Sequence, residues 1–334
     1  MAILRFQATL KTYVLLAGLM FLLVLPAAAT VLKEPFYIGL FSRILIYALA
    51  AASLNLIVGY GGMVSFGHAA FFGAGAYVVG ILAFHLVEES PFMNWPFIVA
   101  GTDNAFIAWP VATLVSAGLA AMIGAISLRT HGVYFIMITL AFAQMMFFFF
   151  VSLEKYGGDD GLSLLGRNRL GSLDLSNDTT FYYICLALLI GFLFLSHRLV
   201  NARFGMVIRG CKENEQRMGA LGFPTYRYRL VCFVIAGAGA GLAGALIANQ
   251  IEFVSPSFIH WTVSGEILVM VILGGMGTLL GPVFGAAALL LLEEFLSRYT
   301  EHWMIILGPI LLFVILFAHR GLYGTFVERE TENG

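Results

Sequence analysis

Long runs of uncharged, mostly apolar residues constrain the fold of this chain more than any other feature. A helix that crosses the hydrocarbon of a bilayer needs about 20 such residues, because every backbone polar group must be paired within the segment. The sequence predicts an all-α polytopic membrane protein of about ten transmembrane helices, forming one transmembrane domain over residues 1–334. The predicted spans are Tyr13–Val31, Ile44–Val58, Phe71–Val87, Ala105–Leu128, Val133–Leu153, Phe181–Ser196, Leu230–Ile251, Thr262–Leu280, Pro282–Leu292 and Trp303–Ala318.

Composition excludes several other classes of protein. Only 11% of the residues are charged, against roughly 25% in an average soluble domain, so the surface of a soluble protein could not be covered. The formal net charge is -1 and no basic tract is present, so nucleic-acid binding is not expected. The three cysteines have no C-x-x-C spacing and predict neither a disulfide framework nor a zinc site.

The two long polar loops predict the orientation of the chain. Residues 197–229 hold seven of the 18 Lys and Arg residues, which places this loop in the cytoplasm. Residues 154–180 carry three cations and five carboxylates, a net charge of 3 - 5 = -2, and are expected on the opposite side. Counting ten helices from these loops puts both termini in the cytoplasm. An alternative is that the N-terminal segment is a cleaved signal peptide ending near Pro26–Ala29.

Two glycine-rich stretches resemble each other. Gly61-Gly-Met63 is followed by Gly67, and Gly274-Gly-Met276, 213 residues further on, is followed by Gly281. We interpret this as an internal repeat, with chance similarity in a chain rich in Gly and Ala as the alternative. Interrupted segments in corresponding places indicate a transport pathway, because irregular backbone at membrane depth is tolerated only within protein or beside water. A third group, Gly237–Gly244, is typical of close helix packing.

Few residues within the spans could carry chemistry. Glu266 and His68 are the main titratable candidates, Glu266 being expected near the outer end of its span; for both, a purely structural role is the alternative. The candidate pathway residues are Gly61, Gly62, Ser65, His68, Glu266, Gly274 and Gly275.

Sequence motifs for catalysis are missing. The chain has no phosphate-binding Gly-x-x-x-x-Gly-Lys-Ser/Thr loop, no His-Glu-x-x-His or Cys/His metal cluster and no Gly-x-Ser-x-Gly elbow, so we expect neither enzymatic activity nor a cofactor. A proton-coupled carrier would also need more relay residues inside its bundle. These absences favour a conduit that is driven by an external energy source.

The cytoplasmic loop predicts an amphipathic surface helix over Phe204–Phe223. Its apolar residues share one helical face, although Glu215 interrupts the stripe. Gly222 and Pro224 are expected to end it. Such a helix either lies on lipid headgroups or docks a cytoplasmic motor.

Five segments together resemble the permeases of branched-chain amino acid ABC transporters, in the LivM branch. They cover nearly the whole chain in the order of that family, and Gly210-Cys211 departs from the expected pattern. The segments are Leu54–Tyr77, Gly132–Phe142, Gly157–Leu162, Phe204–Gly222 and Glu266–Ala286.

The resemblance implies the ABC importer permease fold and a multi-pass subunit of the bacterial inner membrane. The implied partners are a second related permease, two cytoplasmic ATP-binding subunits, a periplasmic substrate-binding protein facing residues 154–180, and membrane lipid. The ATPase-coupling residues that it implies are Lys212, Glu213, Glu215, Arg217, Leu221 and Gly222.

Two alternatives remain at this point. One is a permease of the same family for urea or short amides. The other, from a different class, is an ATPase-independent channel or secondary carrier, which the scarcity of relay residues disfavours.

Overall fold

The chain is mostly helical in a computed structural model, which describes residues 18–31, 34–91, 100–171, 173–300, 302, 305–310, 312 and 321–322. The predicted spans Tyr13–Val31 and Trp303–Ala318 lie partly outside these residues. The described helices are α1 Gly18–Val31, α2 Phe36–Asn55, α3 His68–Val87, α4 Ala105–Ser127, α5 Val133–Val151, α6 Asp178–Asn201, α7 Arg203–Ala220, α8 Thr225–Ile251, α9 Trp261–Gly274 and α10 Gly281–Ser297.

Several helices in the described residues have the length and composition of membrane spans. Six qualify: α3, α4, α5, α6, α8, and α2 together with the π-helical turn Leu56–Tyr60 that extends it. Helices α1 and α9 are apolar but shorter. The chain is therefore a multi-pass membrane protein, as its composition predicts.

Several predicted boundaries differ from the structure, among them the ends of α2, α9 and α10. Helix α2 begins at Phe36 rather than at Ile44 and includes Arg43. The predicted span Thr262–Leu280 is too long, because α9 ends at Gly274 and the following Gly275 adopts a φ of 116°. Helix α10 extends to Ser297, beyond the predicted end at Leu292. A span predicted from uncharged residues ends at the first charged side chain, whereas the hydrogen bonding of the helix continues past that residue.

The centre of the bundle is packed through small residues on α8. An added Cβ on Gly241 would meet Ser116 of α4, and one on Gly244 would meet the Phe72 carbonyl of α3. Gly75 of α3 lies directly against the Gly241 backbone. The predicted role of Gly237–Gly244 in close packing is confirmed, since the helices approach until their backbones touch.

The peripheral helices expose apolar residues instead. Phe106 and Leu114 of α4 are 66% and 70% exposed, and Phe148 of α5 and Phe194 of α6 are 64% and 66% exposed. A soluble protein rarely leaves such residues uncovered over several helices. These faces suit contact with lipid.

The two polar loops lie at opposite ends of the bundle, because α6 runs from one to the other. Residues 154–180 form a folded surface: the strand β1 (Leu162–Ser163) pairs antiparallel with β2 (Phe253–Val254). Arg167 Nη2 donates to Asp178 Oδ1 at 2.6 Å, which fixes the loop to the start of α6.

An apolar cavity of about 550 Å³ lies between α3, α4 and α5. Tyr77 of α3 and Phe150 of α5 line it, and their rings stack with centroids 4.0 Å apart. The cavity reaches α5 only at its end, at Phe149 and Phe150.

The glycine contacts of α8 make a direct stability prediction. We expect Gly244→Ala to lower the melting temperature of the detergent-solubilised protein, because the new methyl group would overlap the Phe72 carbonyl, which is backbone and cannot rotate away. Gly191→Ala on α6 is the matched control, since nothing lies within 4 Å of its Cβ position. There the higher helix propensity of Ala should add up to ~1 kcal/mol. Equal melting temperatures for the two variants would contradict this packing.

Candidate functional site

Two glycine-rich connections between helices form the centre of the candidate site. The first glycine turn, Gly61–Gly67, joins α2 to α3, and the second glycine turn, Gly275–Leu280, joins α9 to α10. Gly62 and Gly277 have positive φ values of 66° and 78°, a conformation that other residues rarely adopt. The predicted interruptions therefore separate adjacent helices.

Asn55 at the end of α2 binds the second glycine turn. Its Nδ2 donates to the Thr278 carbonyl at 2.8 Å, and its Oδ1 accepts from the Gly277 amide at 2.9 Å. Both backbone groups belong to the second glycine turn. Because Asn55 is 2% exposed, these bonds are shielded from competing water.

The surface helix α7 contacts the end of α2 directly. Lys212 Nζ donates to the Gly59 carbonyl at 2.9 Å, in the π-helical turn that precedes the first glycine turn. The aliphatic stem of Lys212 covers Gly62, where an added Cβ would lie 2.9 Å from Lys212 Cγ. A side chain at residue 62 would displace this lysine.

A second anchor of α7 is the Glu215 carboxylate. It accepts from Arg229 Nη1 at 2.7 Å and lies 3.0 Å from His131 Nε2. Arg229 begins the membrane-spanning part of α8 and also reaches Met63 Sδ at 3.4 Å. Glu215 therefore connects α7 to α8, to the α4–α5 connection and, through Arg229, to the first glycine turn.

Electrostatics favour this anchor at neutral pH. Burial by itself would raise the pKa of Glu215, but the Arg229 guanidinium, together with His131, outweighs burial and holds the pKa below its ordinary value of 4.5. The Arg229 side chain is only 10% exposed. Loss of the carboxylate would leave a nearly buried cation without its partner.

Helix α7 is not the continuous helix predicted over Phe204–Phe223. Asn214 has non-helical angles, φ -159° and ψ 99°, and its Oδ1 accepts from the Arg217 amide at 2.9 Å. This is the N-cap geometry of a new helical segment. Its end agrees with the prediction, since Gly222 has a φ of 87°.

The remaining candidates divide by exposure. Ser65 and His68 are buried at 0% exposure, and His68 Nε2 lies 2.8 Å from Ser53 Oγ of α2. Glu213 and Arg217 are exposed on α7, and Leu221 beyond its end is 66% exposed. The structure thus brings Gly61 and Gly62 close to α7 but leaves the two polar candidates inside the bundle.

The structure moves Glu266 away from the outer end of its span, where the sequence predicted it. Helix α9 begins within the bundle, because Ser264 Oγ accepts from the Ala69 amide in the first turn of α3 at 2.8 Å. Glu266 itself is exposed on the surface of the chain. Gly274 and Gly275 lie at the opposite end of α9, where Gly274 packs against the Gly281 carbonyl.

Sequence reasoning missed Arg229 and His131 as members of the site. In the sequence, Arg229 is one cation of a basic loop. Its position at the start of an apolar run does indicate that it lies at the edge of the bundle. His131 lies between two spans and offered no signal, since its contact with Glu215 joins residues 84 apart.

Comparison with known proteins now identifies the family. The family model described as "Branched-chain amino acid transport system / permease component" matches residues 36–315. The chain belongs to this family. It is therefore a permease component of a transport system and not an enzyme, as the sequence predicts. The matched region contains both glycine turns and α7.

Curated relatives of two kinds match this permease. It is 27% identical to the high-affinity branched-chain amino acid transport system permease protein LivM of Salmonella typhimurium, covering 91% of this chain and 74% of that protein. LivM of Escherichia coli is 26% identical, covering 83% and 68%. LivH of Salmonella typhimurium is also 26% identical, covering 83% and 91%. No solved structure matches the chain.

The pKa of Glu215 predicts how its contribution to stability depends on pH. A carboxyl whose pKa is lowered on folding stabilises the fold above its unfolded value, near 4.5, and this contribution is lost as the pH falls through the folded value. We expect Glu215→Gln to cost about 2 kcal/mol at pH 7. The difference in melting temperature from the wild type should vanish below the folded pKa.

The control is Glu213→Gln, because Glu213 makes no ion pair in the described part of the chain. It should leave the melting temperature unchanged at every pH. A Glu215→Gln difference that did not shrink as the pH fell below 4.5 would show that the ion pair is not its cause.

Proposed function

We propose that this chain is a permease subunit of an ATP-driven importer for branched-chain or related amino acids in the bacterial inner membrane. Membership of the permease family and the match to both LivM and LivH support this proposal. A second related permease would complete the pathway, since relatives of two kinds exist. A periplasmic binding protein would deliver the substrate.

The observation that carries the mechanism is the bond between Lys212 and the Gly59 carbonyl, 2.9 Å long. Two cytoplasmic ATP-binding subunits would dock on Glu213 and Arg217 of α7 and on Leu221 and Gly222 just beyond its end. Lys212 and Glu215 lie on its inner side and contact the pathway-proximal elements. A displacement of the part of α7 before the break at Asn214 would therefore reach the turn before Gly61 through Lys212.

The second glycine turn would follow the end of α2, because Asn55 of α2 binds it by two hydrogen bonds. We propose Gly61, Gly62, Gly274 and Gly275 as the pathway-proximal backbone. Ser65 and His68 would shape the pathway from inside the bundle, since both are fully buried. Alternating access then needs no relay of protonatable groups in this chain.

The proposed topology has about ten membrane segments, of which α9 begins inside the bundle, and two cytoplasmic termini, with residues 154–180 facing the binding protein. The basic loop and the acidic loop lie at the two ends of α6, which agrees with this orientation.

An internal repeat is also proposed: each glycine turn follows a helix and precedes another, and the two turns meet at the same end of the bundle.

Lys212→Met tests the link between α7 and the pathway. The substitution keeps an apolar stem over Gly62 and removes the donor to the Gly59 carbonyl. In proteoliposomes with the complete transporter, we expect several-fold less amino acid transported per ATP hydrolysed. Arg227→Met is the control, because Arg227 is exposed and bonds to no other side chain in the described residues. An unchanged ratio of transport to hydrolysis for Lys212→Met would refute the link.

Charge reversal tests the docking of the ATP-binding subunits. We expect Glu213→Arg with Arg217→Glu to lower ATP hydrolysis by the purified complex about tenfold, because both side chains are exposed and would repel a complementary surface. Glu34→Lys, just before α2 at the other end of the bundle, should have no effect, because Glu34 is exposed and lies outside residues 154–180. Wild-type hydrolysis in the first variant, or uptake by this chain alone in liposomes, would favour an ATPase-independent channel.

A further inference from the structure

The apolar cavity of about 550 Å³ opens on the side of the bundle. Its floor belongs to α3, where Ala74, Tyr77 and Leu82 line it and are buried. Its mouth lies between α4 and α5, because Val115 and Phe149 also line it and are exposed on the surface of the chain. The cavity is therefore a side pocket that a ligand would enter between these two helices.

The lining of the cavity is almost entirely hydrocarbon. Among the described residues that form it, the hydroxyls of Tyr77 and Tyr156 are the only polar side-chain groups. Helices α3, α4 and α5 also contain no Asp, Glu, Lys or Arg. A ligand that carried a charge or several hydrogen-bonding groups would lose its hydration in this cavity without compensation. The chemistry of the lining therefore suits a hydrocarbon ligand.

The cavity has nearly the depth of one lipid leaflet. Along α3 it extends over the eight residues from Leu82 to Ala74, which is about 12 Å, and along α4 it extends equally far, from Val111 to Leu119. Leu82 itself lies about 8 Å from the end of α3. Half of the hydrocarbon of a bilayer is about 15 Å thick. The cavity therefore fits within the leaflet on the side of residues 154–180.

Tyr156 lies where the cavity approaches the membrane surface. It belongs to the short 3-10 helix Glu154–Tyr156 after α5, and its hydroxyl lies 3.0 Å from His85 Nε2 near the end of α3. Tyrosine is enriched at the boundary between hydrocarbon and headgroups, because it has an apolar ring and a polar hydroxyl. A hydrocarbon chain that passes Tyr156 would run directly from the headgroup region into the cavity.

The surface beside the mouth is also suited to lipid. Leu114 of α4 and Phe148 of α5 precede Val115 and Phe149 in sequence and are exposed on the outward faces of their helices. Acyl chains therefore reach the mouth wherever the protein lies in a bilayer. Apolar side chains that border open space lose dispersion contacts, and hydrocarbon from the adjacent leaflet restores them.

We propose that this cavity is a binding site for one acyl chain of a phospholipid from the leaflet on the side of residues 154–180. The acyl chain enters between α4 and α5 and packs against Tyr77 and Phe150, whose stacked rings form one wall of the cavity. It fills the space between the end of α5 and the neighbouring helices α3 and α4. The first glycine turn lies at the other end of α3, so this proposal does not depend on the proposed function.

Photocross-linking tests the site in the complete transporter, reconstituted into phospholipid nanodiscs. A trace phospholipid carries a diazirine midway along one acyl chain, and mass spectrometry of peptides locates the labelled residues after irradiation. We expect labels on Tyr77 and Val78 of α3 as well as on the outward-facing Leu114. Lipid that only surrounds the protein could not reach Tyr77, which is 1% exposed. Labels confined to outward-facing residues would overturn the proposal.

Val115→Trp narrows the mouth and should lower the labelling of α3 at least about tenfold, because the larger side chain takes the space of the acyl chain. Leu114→Trp is the matched control, since Leu114 precedes Val115 in α4 but does not line the cavity. It should leave the labelling of α3 unchanged. In both variants Phe148 should be labelled as in the wild type, which shows that the bundle is intact. Equal labelling of α3 in the two variants would overturn the site.

Leu119→Trp is a second variant, which fills only the end of the cavity farthest from Tyr156. A diazirine at the tip of the acyl chain should then no longer label Ala74, whereas a diazirine close to the ester should still label Leu82. This difference follows from an acyl chain that enters from the side of Tyr156. Loss of labelling at both residues, or at neither, would contradict the proposed binding mode.

Two other occupants would give different results. A helix of the partner permease in the cavity would leave α3 unlabelled by lipid, and a photoreactive amino acid in place of Val115 would instead cross-link to that subunit. The side chain of a transported amino acid would compete with lipid, so that saturating L-leucine would abolish the labelling of α3 in the wild type. Either result overturns the proposal.

Discussion

Backbone groups that are released where a helix stops inside an apolar bundle must find partners within the protein. The two glycine turns depend on this requirement. Gly277 and Thr278 bond to Asn55, and the Gly59 carbonyl bonds to Lys212. The Phe66 amide donates to Thr139 Oγ1 of α5 at 3.3 Å. Each of these partners comes from a different element, so satisfying the turns also binds the bundle together.

The same requirement explains why a surface helix is coupled to the interior. Lysine is rarely placed beside an apolar bundle, but its long stem can cover a glycine while its ammonium group reaches a carbonyl that the π-helical turn exposes. Glu215 is held in a similar way by Arg229, whose own position is fixed by Met63 and α8. Helix α7 is thus attached to the bundle by Lys212 and Glu215, and the same two side chains pair the Gly59 carbonyl and the Arg229 guanidinium.

Much of this architecture could be predicted from apolar runs, loop charge and glycine position. The membrane class, the opposite placement of the two polar loops and the packing role of the α8 glycines are confirmed. Span ends were wrong where a charged residue, such as Arg43 or Glu293, lies inside a helix. Helical periodicity also could not detect the break at Asn214, because a side-chain cap changes the backbone without changing the pattern.

The candidate site was predictable only in part. Glu215 interrupts the apolar stripe of α7, and the structure shows that it does so because it points to Arg229. Contacts between distant parts of the chain, such as Asn55 with Thr278 across 223 residues, cannot be inferred from the sequence pattern around either residue. The apparent outer position of Glu266 followed from assuming that α9 spans the membrane completely.

The glycine contacts of α8 also divide the molecule mechanically. The α3 and α8 backbones touch at Gly75, Gly241 and Gly244. Neither helix can slide past the other without a clash between main chains, so the two helices form one rigid unit. The end of helix α5 lines a cavity of about 550 Å³ between α3 and α4, and this part of α5 therefore has room to move relative to them.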